Sequence, residues 1–177
     1  MVTEKHTIVA LVENKPGVLN RIASLFRRRG FNIESIAVGH SETPQLSRVT
    51  IVVNGTDAMV EQVRKQLEKL VDTVKVVDIT GDNIVARELA LIKVRANTNT
   101  RGEIVELVDI FRANIIDVSM DSLTIEITGD EDKINSFLNL MRGFGIKEIA
   151  RTGRVATVRG NGGQVVLESS KPEKVKK

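Results

Sequence analysis

The sequence predicts an α+β protein made of two tandem β-α-β-β-α-β domains, each with an antiparallel sheet covered by helices on one face. Two observations in the pattern of apolar residues lead to this prediction. Strand-like runs and helix-like spacing alternate in that order over residues 7–80, and the same order recurs in the second half. In addition, stretches of the two halves align residue by residue. The chain of 177 residues is long enough for two small domains.

The first half contains all six predicted elements. TIVALV is typical of a buried strand, and the segment after the ENKPG turn has apolar residues at helical spacing. FNIESIAVGH and LSRVTIVVNG are two strands joined by a polar loop, TDAMVEQVRKQLEKLV is a second amphipathic helix, and TVKVVDIT is a closing strand. This order is the ferredoxin-like arrangement. The predicted inward faces of the two helices consist of Val18, Leu19, Ile22, Ala23, Leu25, Phe26, Met59, Val60, Val63, Leu67 and Leu70.

The second half repeats this order, with RELALIKVRA as a strand and RGEIVELVDIFRA as a helix. A hairpin of NIIDVSM and SLTIEIT, a helix DEDKINSFLNLM and a closing strand IKEIARTG follow. FNIESIAV aligns with ANIIDVSM, which places Asn32 over Asn114, and the predicted hairpin turn is tight, at Asp121-Ser122. We therefore predict domains at residues 1–81 and 82–159. The Gly-rich and then Lys-rich residues 160–177 are predicted to form a flexible basic tail.

Composition argues against several classes of function. Cysteine is absent, which removes disulfides, thiolate nucleophiles and Cys-based metal sites. Aromatic residues make up 3%, without Trp or Tyr, so stacking platforms for single-stranded nucleic acid are lacking. The net charge of +3 is scattered apart from the tail and the triplet Arg27–Arg29. We interpret this triplet as a solvated helix C-terminus, with a phosphate-contacting patch as the alternative.

No segment is typical of membrane insertion or export. No apolar run approaches the roughly 20 residues of a membrane span, and the polar residues 4–6 interrupt any apolar core of a signal peptide. We expect a cytoplasmic protein with neither membrane nor nucleic-acid partners.

The sequence offers no catalytic constellation. His6 and His40 lack metal-ligand spacing and are predicted to lie on the surface, while Asp117 and Asp121 are better explained as hairpin acids. GNGG lacks the Lys-Ser/Thr of a phosphate loop. We therefore expect no catalytic residue, metal site or cofactor in this chain, and an independent enzyme is disfavoured.

The stretch ENKPGVL lies where the first strand gives way to a helix. Backbone N–H groups in the first helical turn have no intrahelical acceptor, Gly17 allows close approach of a ligand, and Pro16 pre-sets the turn. A carboxylate there gains hydrogen bonds and a favourable helix-end field, and the Asn14 amide can both donate and accept. The alternative interpretation is that Asn14 only caps the helix and that Pro16-Gly17 is only a turn.

Asn32 favours the binding interpretation. It begins the second strand amid apolar residues, where a buried amide needs a partner or costs about 1–3 kcal/mol. The Pro-Gly turn occurs only in the first half, since its counterpart is NTNTRGEIV with Arg101 before Gly102. Equivalent ligand sites in both domains are therefore not expected.

LVENKPGVLNRIASLFRRRGFNIESIAVG resembles the ACT domain, a small-molecule-sensing module with the predicted topology. With LSRVTIVVNG, VARELALIKVRA, IFRANIIDVS and EIARTGRVATVRG, residues 7–159 resemble the family of small regulatory subunits of acetohydroxyacid synthase, also called acetolactate synthase. One departure is Lys15-Pro16, where family members often carry Ser or another small residue.

The resemblance implies a non-catalytic subunit that binds a large catalytic subunit, raises its activity and confers feedback inhibition by valine. That partner condenses two pyruvates to 2-acetolactate in branched-chain amino-acid synthesis, and thiamine diphosphate, Mg²⁺ and FAD are expected only there. We expect isoleucine and leucine to act weakly, because one methylene changes binding by only about 1–3 kcal/mol. A stand-alone ACT module that senses amino acids and regulates another enzyme or a transcription factor is the alternative.

The resemblance also implies a homodimer of ACT domains that pair side by side, with valine at the dimer interface. One chain would supply the turn and its partner the start of a strand. The implied effector-binding residues are Asn14, Pro16, Gly17, Val18 and Leu19 from the turn and Asn32 and Ile33 from the strand.

Overall fold

A computed structural model describes residues 4–160 and Val165, so the predicted tail lies outside the described part of the chain except for Gly160 and Val165. The chain divides into two compact units. One contains residues 4–34 and Val38–Asn83, and the other contains Ser35–Ala37 and Ile84–Thr157. Among residues 4–160, none of the helices has the length and hydropathy of a membrane span.

Six elements form the first unit: β1 (Glu4–Glu13), α1 (Val18–Arg29), β2 (Ile33–His40), β3 (Leu46–Gly55), α2 (Asp57–Glu68) and β4 (Thr73–Asp78). The strands form one sheet in the order β2-β3-β1-β4, with β1 antiparallel to both β3 and β4. The register pairs Ile8 of β1 with Ile51 of β3. β2 therefore lies at an edge of the sheet, and β1 lies inside it.

The core of the first unit lies between one face of this sheet and the two helices. Alternate residues of the strands point into it, which places both helices on the same face. Its buried side chains include Ile8, Ala10, Val12, Val49, Ile51 and Val53 from the strands and Val18, Ile22, Phe26, Val60, Val63 and Leu67 from the helices. On the other face of β1, Val9 and Leu11 are also buried, in line with its unbroken apolar run.

The end of α1 sets the start of β2. Gly30 adopts a left-handed conformation with φ of 69° and donates to the carbonyl of Arg27, while the N–H of Phe31 donates to Phe26. This is the Schellman arrangement that glycine favours at a helix end. It stops α1 and turns the chain into the edge strand within three residues.

The second unit repeats the order and adds one strand. Its elements are β5 (Ile84–Arg95), α3 (Arg101–Ile110), β6 (Asn114–Val118), β7 (Ser122–Gly129), α4 (Glu131–Arg142), β8 (Ile146–Arg151) and β9 (Val155–Val158). The sheet order is β6-β7-β5-β8, and β9 pairs with β5. Phe137 is fully buried in the core, and the centroid of its ring lies 5.1 Å from the ring centroid of Phe111.

The strand β9 was not predicted, because the closing strand was expected to end the domain. β5 begins at Ile84, three residues before the predicted strand. This longer strand pairs with β9 in addition to β8. The hairpin turn also differs, since Ser122 belongs to β7 and the connection spans residues 119–121. It is closed by a 2.9 Å hydrogen bond from the N–H of Ser119 to the carbonyl of Ser122.

Several side chains lie elsewhere than predicted. Leu19, Ala23 and Met59 were expected to face inward but are exposed. Because successive residues of an α-helix are rotated by about 100° around its axis, Leu19 and Ala23 point roughly 75–115° away from the centre of the buried face of α1. His6 was expected on the surface but is buried, with its ring nitrogens 3.7 Å from Asp57 and 3.6 Å from Asp78. The alternation of side chains along a strand predicts on which face of β1 His6 lies. It does not predict that Asp57 and Asp78 lie near the ring.

Candidate functional site

The turn between β1 and α1, residues 14–17, is the candidate site. Gly17 is the N-cap of α1 and adopts a left-handed conformation with φ of 89° and ψ of −12°. A Cβ at Gly17 would meet no heavy atom within 4 Å, so the backbone conformation, rather than crowding, calls for glycine here. The main chain of this turn lies open on its outer side.

Three backbone donors at this turn have no acceptor among the described residues. The N–H groups of Gly17, Leu19 and Asn20 form no hydrogen bond there, and no side chain caps α1. The N–H of Val18 reaches the carbonyl of Lys15 only at 3.5 Å. Because unpaired donors at a helix start favour negative charge, this group of N–H donors suits a carboxylate.

The strand side of the turn is held firmly by the main chain. The N–H of Glu13 donates to the carbonyl of Asp72 at 2.8 Å, and the N–H of Asn14 donates to Gln45 at 2.8 Å. The N–H of Lys15 donates back to Glu13 at 3.0 Å. These bonds fix residues 13–15, so the unpaired donors lie next to a rigid support rather than in a loose loop.

The charges beside the turn are paired. Lys15 donates a 2.5 Å hydrogen bond to Glu13, and that carboxylate raises the pKa of the Lys15 ammonium above its ordinary value. Arg21, one turn into α1, forms an ion pair with Asp72. With both cations engaged, the positive character of the turn resides mainly in its backbone N–H groups.

The Asn14 side chain does not cap the helix. Its amide lies 3.4 Å from the Nδ1 atom of His40 at the end of β2. This contact places His40, which sequence reasoning had not linked to the turn, beside the predicted site. One side of the turn thus carries an exposed amide and imidazole that can exchange hydrogen bonds with a polar ligand.

Asn32 lies apart from this turn and immediately precedes β2. It is exposed, so its expected burial among apolar residues is wrong for the single chain. The reason is that β2 is an edge strand and that Asn32 precedes its first residue. Ile33 is half-buried against the core. Within the turn, Pro16 and Gly17 are exposed, Val18 is buried, and Leu19 is 48% exposed.

The matching turn in the second unit is closed by its own side chains. The Oδ1 atom of Asn97 accepts hydrogen bonds from the N–H groups of Asn99 at 2.9 Å and Thr100 at 3.0 Å. The Arg101 side chain donates to the carbonyls of Ser119 and Met120. A side-chain oxygen therefore binds the N–H of the N-cap residue Thr100, whereas the N–H of its counterpart Gly17 forms no hydrogen bond among the described residues, and the two turns differ in this respect.

The other candidate groups do not assemble into a catalytic site. Asp121 accepts a 2.6 Å hydrogen bond from Lys147, which lowers the pKa of its carboxyl, and Asp117 is exposed opposite Thr124. Within the described ranges, no group of three or more His, Asp or Glu side chains could hold a metal ion.

Comparison with known proteins places these features in one family. Residues 87–160 match the family described as "Small subunit of acetolactate synthase", and residues 8–75 match the "AHAS small subunit-like ACT domain". An Archaeoglobus fulgidus protein named "Probable acetolactate synthase small subunit" is 66% identical over 157 residues, or 89% of this chain and 98% of that relative. The acetolactate synthase small subunit of Mycolicibacterium smegmatis is 54% identical over 158 residues, which cover 89% and 93% of the two chains.

The comparison extends to a solved structure. The crystal structure of the acetolactate synthase small subunit from Thermotoga maritima is similar to this chain, with a TM-score of 0.83 and 51% sequence identity. The match covers 89% of this chain and 99% of that one. The predicted fold of two ferredoxin-like units and the family resemblance are both confirmed.

Proposed function

Because the chain belongs to the family of acetolactate synthase small subunits, we propose that it is a regulatory subunit that binds the catalytic large subunit, raises its turnover and makes it sensitive to valine. The observation that carries this proposal is the 66% identity along 98% of a relative named as such a subunit. Thiamine diphosphate, Mg²⁺ and FAD would act in the large subunit. The part played by this chain would be allosteric.

The turn at Asn14–Gly17 would hold the effector's carboxylate. Support comes from the three unpaired N–H groups of Gly17, Leu19 and Asn20 and from the left-handed Gly17, which leaves the main chain open. The helix-end field adds about 0.3–1 kcal/mol for a bound anion. The amide of Asn14 would accept from the ammonium of the amino acid.

A second copy of the chain would complete the site. The edge position of β2 leaves one row of backbone N–H and C=O groups without a neighbouring strand in the sheet. A side-by-side pair of ACT domains would cover this row and bring Asn32 and Ile33 of one chain to the turn of the other. Leu19, which is 48% exposed in the single chain, would then form an apolar wall for the isopropyl group.

Selectivity for valine would come from the size of this wall. One methylene more or less changes binding by about 1–3 kcal/mol, so leucine and isoleucine would bind more weakly without being excluded. Because two chains share the site, binding would alter how they pack. The coupling free energy between effector binding and the large subunit would then be about 1–3 kcal/mol.

Reconstitution with the large subunit tests the proposal. The purified chain should make no acetolactate alone, should raise the turnover of the large subunit when added to it, and should make that activity fall with valine. Failure to raise turnover would refute the regulatory role. If turnover rises but valine neither binds by calorimetry nor inhibits, the effector assignment is wrong.

The sequence repeat provides a matched pair of variants for the second half of the site. Asn32 and Asn114 occupy aligned positions and both are exposed. Asn32→Ala should weaken valine binding, whereas Asn114→Ala should leave it unchanged. Equal valine affinities in the two variants would exclude Asn32 from the site.

A further inference from the structure

A groove between the C-terminal ends of α1 and α2 is a second concentration of ligand-binding groups. It has a volume of about 430 Å³ and is lined by Leu25, Arg28, Arg29, Gln66, Lys69 and Leu70. Volumes of roughly 300–1,000 Å³ are common for small-molecule sites. In sequence these residues form two separate segments about 40 residues apart, and only the packing of α1 against α2 brings them together.

The cations of this groove have no carboxylate partners within the described residues. Arg28, Arg29 and Lys69 take part in none of the ion pairs there, and α1 contains no acidic residue. The nearest acids along α2 are already engaged, since both Glu61 and Glu68 bind Arg64. The groove therefore carries three positive charges that no carboxylate of residues 4–160 pairs with.

Helix dipoles do not balance these charges. The C-terminus of each helix contributes about half a negative charge, so the two helices supply about one unit against three positive ones. An excess of about two positive units is left around a concave surface. The dipoles of α1 and α2 can therefore account for one cation at these helix ends, but not for all three.

We propose that this groove binds an anion that carries two or more phosphoryl groups. The guanidinium groups of Arg28 and Arg29 can each donate two hydrogen bonds to phosphate oxygens, and Lys69 adds a compact positive charge. The Gln66 amide provides a further neutral donor. Two guanidinium groups, each able to bind one phosphoryl group, and a groove of about 430 Å³ suit two phosphoryl groups, whereas a single carboxylate would leave part of the positive charge uncompensated. The site is separate from the turn of residues 14–17 and does not depend on the proposed valine site.

Calorimetry with inorganic pyrophosphate tests this proposal on the full chain. We expect one pyrophosphate per chain, with an affinity roughly tenfold above that for orthophosphate. Arg28→Gln and Arg29→Gln should each raise the Kd for pyrophosphate roughly tenfold or more. The matched control is Arg27→Gln, which removes the same charge from the same triplet but at a position that does not line the groove, and it should change the Kd less than twofold.

Three results would overturn the proposal. If pyrophosphate does not bind the wild-type chain, the triplet Arg27–Arg29 is only a solvated helix end. An equal loss of affinity in Arg27→Gln and Arg28→Gln would indicate a diffuse charge effect without a built site. If Arg28→Gln weakens association with the large subunit instead of pyrophosphate binding, the groove is a protein contact. Unchanged thermal unfolding of the variants establishes that each comparison is made between folded proteins.

Discussion

Replacing Gly17 with aspartate or with asparagine separates two reasons why this position matters. Both residues force a side chain onto a left-handed backbone with φ of 89°, and both have the same shape. Asn and Asp tolerate this conformation better than other non-glycine residues. Since a Cβ at Gly17 meets no atom within 4 Å, neither variant should disturb the packing. Only aspartate adds a negative charge beside the unpaired N–H groups.

The expected effect of that charge follows from Coulomb's law. Two carboxylates about 5 Å apart repel by about 0.8 kcal/mol in water and by about 3.3 kcal/mol at an effective dielectric constant of about 20. A partly exposed site lies between these limits, so Gly17→Asp should weaken valine binding by about 1–3 kcal/mol relative to Gly17→Asn. This corresponds to a Kd roughly 5- to 150-fold higher.

Calorimetric titration of valine into the two variants measures the difference directly. Thermal unfolding should give Gly17→Asp a midpoint equal to or slightly above that of Gly17→Asn, since the strain is shared and the helix start favours the carboxylate. Wild-type affinity in both variants would refute the assignment of the turn to the effector site. Equal and large losses in both would mean that backbone geometry, and not charge at the helix start, controls binding.

Three further predictions concern the rest of the chain. A hydrogen bond from Arg64 lowers the pKa of Glu61 to about 2, so the pair stabilises the fold above the unfolded pKa near 4.5 and loses this effect as pH falls through about 2. Arg64→Gln should return the pKa of Glu61 towards its ordinary value in an NMR titration, and an unchanged value would contradict this. Phe137→Ala should lower the free energy of unfolding by about 3–5 kcal/mol in denaturant titrations, because Phe137 is fully buried. Met120→Ala should lower it by less than about 0.5 kcal/mol, because the Met120 side chain is exposed; similar losses in the two variants would contradict this difference in burial. Asn97→Ala removes the acceptor for two backbone N–H groups and should cost about 0.5–2 kcal/mol by the same measurement, whereas no loss would show the turn to be independent of it.

The elements were predictable because each carries its pattern locally. β3 and the first residues of α1 and α3 agree with the sequence prediction to the residue. Glycine marks both ends of α1, at Gly17 and Gly30, and both adopt the left-handed conformation that other residues disfavour. Such signals act through neighbouring residues, and no distant contact is needed to interpret them.

Positions that depend on distant contacts were predicted less well. Leu19 and Met59 have the right spacing for a helix face, but the position of the facing sheet decides which part of that face is covered. His6 is buried on β1 with carboxylates of α2 and β4 near its ring, and these neighbours come from elements distant in sequence. Asn32 is exposed because β2 lies at an edge, a property of strand order that no local pattern encodes.

The sequence by itself determined the repeated order of elements, the family and the special character of the turn at residues 14–17. Each of these depends on local spacing or on a direct comparison of residues. The tertiary structure decided which donors of that turn remain unpaired. The Asn97 side chain binds the N–H of Thr100 in the second unit, and no side chain among the described residues binds the N–H of its counterpart Gly17 in the first. It also decided that Arg28, Arg29 and Lys69 share one groove. Whether a donor finds an acceptor, and whether charged side chains cluster, depends on groups that are far apart in the chain. These groups come together only when the helices and strands have packed.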